Sequence, residues 1–275
     1  MVNIKAFIIY IEAYDRSQKL IDSLGEIGVP HEKVLSLSRF KDEETLAMLH
    51  RGERLYKHTI GRNLLIPELG ASYGHFKAIS TFLNSGFEYG IIFDDDSRMY
   101  ADPSQVLSSL NFTEPVCLSL CQDLSGIPIS QKEFPDYRFL HFPSTMTTHA
   151  YVLNRSAALE FMRIFRNYGI TSVADWPYPL PKVNFAITRD AFYSQEIDER
   201  PYSVEIERSK VKTEGTAHAL TMPISLVTLL RRIFISREFG LPLLEIVRHE
   251  IFLRFKVRRY LAIRKLKRAI GTHGI

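Results

Sequence analysis

Short apolar runs alternate with helix-patterned stretches over most of this chain, and that alternation limits the fold more than any other feature of the sequence. Residues 5–11 (KAFIIYI) read as a buried strand. Residues 15–28 follow, with Leu20, Ile21, Leu24 and Ile27 on one helical face and Gly28 closing the helix. A short strand is expected at 34–37 and a charged, helix-like stretch at 42–56. The pattern predicts a helix over 67–84, with Pro67 in the first turn, where a missing N–H costs nothing. Further strands are expected at 89–93, 115–120 and 150–154, the last followed by a helix from about residue 156 to 168. Residues 174–182 (ADWPYPLPK) hold three prolines and exclude regular structure. Strands separated by helices predict an α/β fold with a mostly parallel sheet flanked by helices. Ligands on such sheets bind beyond the carboxyl ends of the strands.

Composition excludes several other classes. Of 275 residues, 45% are apolar and 24% charged, as in a soluble globular chain rather than a collagen-like, disordered or disulfide-rich one. A chain this long buries enough surface to fold without a metal or disulfide. The only cysteines are Cys117 and Cys121, which points to a reducing compartment. On one strand they would face the same side, too far apart to bond easily, and two thiols are too few for a structural zinc site. The apolar run 6–11 is too short for a signal-peptide core. The longest uncharged, mostly apolar stretch, Ala219–Leu230, is 12 residues long and contains Pro223, whereas a span needs about 20. A cytoplasmic protein is expected.

Charge divides the chain. From Arg231 onward there are 12 Lys or Arg against three acids, while the preceding residues carry 23 basic and 28 acidic side chains. Leu244, Val247, Ile251 and Phe255 share one helical face, and arginines and lysines surround it. We therefore read residues 1–220 as the folded domain and 221–275 as a basic amphipathic helical tail. Residues 238–270 would lie on an anionic membrane surface from the cytoplasmic side. The alternatives are a helix packed on the domain, or binding of nucleic acid or an acidic protein. Nucleic acid is not expected, because no recognised binding motif accompanies the charge.

The sharpest chemical feature is IIFDDDSRM, residues 91–99. An apolar strand runs straight into Asp94, Asp95 and Asp96, whose mutual repulsion calls for a cation. On an extended chain Asp94 and Asp96 point one way and Asp95 the other. Two hard oxygen ligands at a strand end suit Mn²⁺ or Mg²⁺ bridging a diphosphate, although a solvated acidic loop would carry the same residues. Upstream, PELGASYGHF places Glu68 and His75 on one helical face, with Gly70 and Gly74 allowing a close approach. Glu68 can equally be a helix cap. His149 precedes the strand at 150–154, and Asn154 or Ser156 can cap the next helix. Asp175, beside the single tryptophan Trp176 in the proline-rich loop, is a candidate general base.

These pieces, in this order, resemble glycosyltransferase family 25, the bacterial lipopolysaccharide and lipooligosaccharide glycosyltransferases, whose relatives include collagen galactosyltransferases. The family's glutamate–isoleucine–glycine–cysteine segment ending in serine–histidine is similar to Glu68-Leu69-Gly70-Ala71-Ser72-Tyr73-Gly74-His75. Its apolar strand ending in glutamate–aspartate–aspartate is similar to Ile91-Ile92-Phe93-Asp94-Asp95-Asp96, and its threonine–histidine–alanine–tyrosine strand to Thr148-His149-Ala150-Tyr151. Asp175 matches a later aspartate, and Phe7–Ile11 with Asp15-Arg16 the N-terminal strand and its aspartate–arginine. Ala71, Gly74 and Asp94 depart from the family's cysteine, serine and glutamate, and the likeness covers roughly residues 4–210.

The resemblance implies a GT-A-like (Rossmann-like), metal-dependent, inverting transferase of a hexose, with UDP-galactose as the expected donor and a lipid-linked or core oligosaccharide as acceptor. It implies Mn²⁺ or Mg²⁺ on Asp94 and Asp96, with His218 as a third ligand. Arg16, Glu68, His75 and Asp95 would line the donor site. Asp175 would be the base, with His149 as second choice. Such an enzyme would sit peripherally on the cytoplasmic face of the inner membrane. The competing readings are a metal-dependent phosphoryl-transfer enzyme, an inactive transferase, and a non-catalytic binding protein led by the basic tail. No glycine-rich phosphate loop is present, which argues against kinases and NAD enzymes.

Overall fold

The computed structural model describes residues 2–12, 15–36, 43, 46–48, 50–53, 65–121, 126–133, 136–143, 149–171 and 181–195. Their elements run β1 (Ile4–Tyr10), α1 (Gln18–Glu26), β2 (His31–Leu35), α2 (Ile66–Asn84), β3 (Tyr89–Asp94), β4 (Ser97–Met99), α3 (Ser104–Ser108), β5 (Val116–Ser119), β6 (Gly126–Glu133), β7 (Tyr137–Pro143), β8 (Ala150–Asn154), α4 (Arg155–Tyr168), β9 (Asn184–Thr188) and β10 (Tyr193–Gln195). The boundary at residue 220 and the basic tail lie outside the described residues.

One eight-stranded sheet has the order β2-β1-β3-β8-β5-β9-β7-β6, and β10 pairs with β4 in a second, two-stranded sheet. β2, β1, β3, β5, β9 and β6 point one way, so the sheet is mostly parallel in direction, as the alternation predicts. β8 and β7 run against them. The insertion of β8 between β3 and β5 is the main departure from the expected sheet, and it decides the site. Among the described residues, no helix is long and apolar enough to cross a membrane.

The buried strands alternate their side chains between two cores. Ile8, Ile91, Phe93, Leu118 and Val152 join Leu20 and Leu24 of α1 and Val106 and Leu107 of α3 on one face. Phe7, Ile9, Ile92, Tyr151 and Leu153 join Ala78, Ile79 and Phe82 of α2 and Phe161, Met162 and Phe165 of α4 on the other. The arrangement is a helix–sheet–helix sandwich. Cys117 and Cys121, expected on one side of a strand, belong to opposite cores, because β5 ends at Ser119 and the chain turns before Cys121. Both thiols are free and buried.

Local chemistry accounts for the helix bounds. α1 gives way to Gly28 at φ 68°, a left-handed conformation that glycine adopts without strain. Asn154 caps α4, its side-chain oxygen accepting from the Ala157 N–H at 3.1 Å. The same oxygen accepts from the Val116 N–H of β5 at 3.1 Å, so the cap also ties α4 to the sheet. Gly74 lets α2 press on the strand ends: a Cβ there would lie 2.5 Å from Ile9 Cγ2 and 3.0 Å from Ser36 Oγ. Ser36 Oγ in turn donates to the Gly70 carbonyl at 2.6 Å. Gly74 thus lets α2 sit against the Ile9 side chain of β1 and Ser36 just beyond β2, and this sets the height of His75 above the sheet.

Candidate functional site

The carboxyl ends of β1, β2 and β3 and the amino end of β8 meet at one edge of the sheet. β3 delivers the aspartates there. Strand alternation sends Phe93 into the α1 side and Asp94 toward the α2 side, where His75 stands. His75 Nε2 lies 3.3 Å from Asp94 Oδ1, and His149 Nδ1 lies 3.5 Å from Asp94 Oδ2. His149 reaches this place through strand register. Phe93 pairs with Ala150 across the antiparallel β3–β8 ladder, and the next rung is the Asp94 N–H donating to the His149 carbonyl at 3.1 Å. Ser97 Oγ donates to the same carbonyl.

Asp95 and Asp96 form the turn that follows β3, and Asp95 meets Arg16 in the loop between β1 and α1. The Arg16 guanidinium reaches Asp95 Oδ1 at 2.8 Å and Asp96 Oδ2 at 3.3 Å, and the Arg16 backbone N–H donates to Asp95 Oδ2 at 3.3 Å. Asp15 is held beside it by Lys33 and by Ser17, whose Oγ donates to Asp15 Oδ1 at 2.6 Å. Glu68 is buried at the start of α2 and accepts the Leu65 N–H at 3.1 Å, the work of a capping glutamate.

Asp94, Asp96 and His149 each offer a ligand atom, and these atoms lie within 4.8 Å of one another. Two carboxylate oxygens and an imidazole nitrogen fit a divalent first-row ion. Mn²⁺ suits this set better than Mg²⁺, which favours oxygen ligands throughout. Among the described residues the structure groups Asp94 and Asp96 with His149; His218 lies outside them. Asp175 and Trp176 also lie outside them.

Electrostatics differ sharply among adjacent carboxylates. Burial pushes the Asp94 carboxyl up, but hydrogen bonds from His149 and His75 outweigh it and hold the group well below the usual carboxylate range. Burial pushes the Asp95 carboxyl up to about 6, with Arg16 opposing and Asp96 reinforcing the rise. Burial, with Cys117 and Asp94 nearby, lifts the Tyr151 phenol well above its ordinary value. Asp94 is thus a committed anion, as a metal ligand must be.

The contact between Tyr151 and His75 was not legible in sequence, because it joins α2 to β8 across 76 positions. The one signal was that Tyr151 follows His149 at the two-residue spacing that puts both on one face of a strand.

No family model matches the sequence, and no curated protein matches it. Among solved structures, the chain is similar at 11% identity to a protein from STIV, over 71% of this chain and 87% of that one, with a TM-score of 0.41. It is similar at 12% identity to a Drosophila beta-1,4-galactosyltransferase 7 mutant in complex with manganese, UDP-Gal and xylobiose, over 76% of this chain and 80% of that one, with a TM-score of 0.31. It is similar at 11% identity to a glycosyltransferase involved in glycosylating the major capsid of PBCV-1, over 75% of this chain and 98% of that one, with a TM-score of 0.34. Scores this low assign no fold family, so function is argued from the side chains.

Proposed function

We propose that this protein is a divalent-metal-dependent glycosyltransferase of GT-A type using a nucleotide-diphospho-sugar donor. One observation carries the reading: Asp94, Asp96 and His149 form a metal-ligand set at the carboxyl end of a mostly parallel sheet. That is where α/β sheets bind their ligands. The ordered motifs shared with glycosyltransferase family 25 support the same reading, with an inverting mechanism, UDP-galactose as donor and a lipopolysaccharide or other surface-glycan acceptor.

A Mn²⁺ held by these residues supplies the positive charge that stabilises a departing nucleoside diphosphate. Arg16 braces Asp95 and Asp96 from the other side, so the aspartates keep their places when no metal is bound. With His149 among the ligands, Asp175 is left to take the acceptor hydroxyl's proton. The basic tail would hold the enzyme at the cytoplasmic face of an anionic membrane, near a lipid-linked acceptor. A variant ending before residue 238 should then move from the membrane to the soluble fraction, and unchanged fractionation would sink the anchoring role.

The donor site is tested by thermal unfolding with UDP, UDP-galactose, UDP-glucose and UDP-N-acetyl sugars, each with and without Mn²⁺. Ligand at 100 times its dissociation constant should stabilise the native state by about 2.7 kcal/mol. A shift that needs both Mn²⁺ and one sugar nucleotide is the expected result. No shift with any of them refutes the reading.

A further inference from the structure

A buried chain of hydrogen bonds ends on Asp94 from the side away from His149. Tyr151 of β8 and His75 of α2 are 2% and 3% exposed, and their rings stack with centroids 5.8 Å apart. The Tyr151 hydroxyl lies 3.0 Å from His75 Nδ1, and His75 Nε2 lies 3.3 Å from Asp94 Oδ1.

The chemistry fixes the direction of this chain. An ionised carboxylate only accepts hydrogen bonds, so the hydrogen facing Asp94 sits on His75 Nε2. In the neutral ring Nδ1 is then the acceptor, and the Tyr151 phenol is its donor. We infer that Tyr151 and His75 are positioning residues: the phenol's hydrogen bond fixes the orientation of the His75 ring, and the ring pins one Asp94 oxygen so that the other faces the metal set. This rests on the metal-dependent reading above and adds two residues to it. Neither side chain belongs to the ligand set, and both act through Asp94. Partners of this kind, behind a ligand, typically account for about 10–100-fold in metal affinity.

The test is titration of MnCl₂ into the full chain, with free Mn²⁺ read by electron paramagnetic resonance and no sugar nucleotide present. Tyr151→Phe removes one oxygen and keeps the ring. It should weaken Mn²⁺ binding about 10–100-fold. His75→Gln keeps an N–H for Asp94 and should bind Mn²⁺ better than His75→Ala. Melting of the metal-free proteins, measured in parallel, should not rank the variants in the same order as their Mn²⁺ affinities. Should Tyr151→Phe fail to fold, the Gln and Ala variants decide alone. Wild-type affinity in both Tyr151→Phe and His75→Ala overturns the positioning role and leaves the metal site standing. A wild-type chain that binds no Mn²⁺ overturns the metal-dependent reading, and the positioning role with it.

Discussion

Asp96→Ala should abolish the Mn²⁺-dependent stabilisation by sugar nucleotide and cut transfer by about 10²–10³-fold. The size follows from the several kcal/mol that a bound metal contributes to a developing charge, at about 1.36 kcal/mol per factor of ten. Asp96 is buried beside Arg16 and shares the ligand set with Asp94 and His149. Alanine removes one of the set's three ligand groups and leaves the other two in place, because Asp94 is held independently by His75. Transfer is measured as UDP release at saturating donor with Mn²⁺, and full activity in the variant would place the chemistry elsewhere.

Asp95→Asn should stabilise the metal-free protein increasingly as pH rises. The Asp95 carboxyl, pushed up to about 6 in the folded chain, has an ordinary value of 3.8 when unfolded. Between those two pH values the folded state holds the proton more tightly, so native stability falls as pH climbs through the window. Below 3.8 both states are protonated and the effect is absent. Above 6 the loss is complete, at about 3 kcal/mol from 1.36 kcal/mol per pKa unit. Asparagine has no such proton, and it can still accept from Arg16. Urea unfolding of both proteins in chelator, at pH 4 and pH 7, should therefore show their difference growing by about 2.4 kcal/mol in favour of the variant. A difference that stays constant with pH would mean that Asp95 is not held in this way. The physical cost is instructive: an ionised Asp95 is maintained at neutral pH against burial, and Arg16 offsets only part of that burden.

Much of the scaffold followed from local pattern. The strand at Ala150–Asn154 falls where periodicity placed it, and α2 begins at Ile66, one residue before Pro67. α1 is shorter than its pattern, Gln18–Glu26, because Asp15 is spent on Ser17 and the turn ahead of the helix. β6, β7, β9 and β10 escaped sequence reading. β6 contains Pro128 and pairs only with its neighbour β7, whereas β7 reaches β9 and the three-residue β10 reaches β4, partners far along the chain that no local periodicity reveals.

The sequence by itself determined that an apolar strand would carry adjacent aspartates to a sheet edge, with Phe93 and Asp94 on opposite faces; Asp95 and Asp96 lie in the turn beyond it, where alternation no longer applies. Side-chain alternation on an extended backbone is a local property and needs no partner. Only the tertiary structure decided who meets them. β8 enters the sheet antiparallel between β3 and β5, and that direction alone brings His149, at its amino end, beside Asp94 at the carboxyl end of β3. A parallel β8 would have left His149 at the far edge. The close seat of α2, allowed by Gly74, sets His75 between Tyr151 and Asp94. Pairing order and strand direction are set by the summed burial of two cores, to which residues throughout the chain contribute. No local window contains that sum.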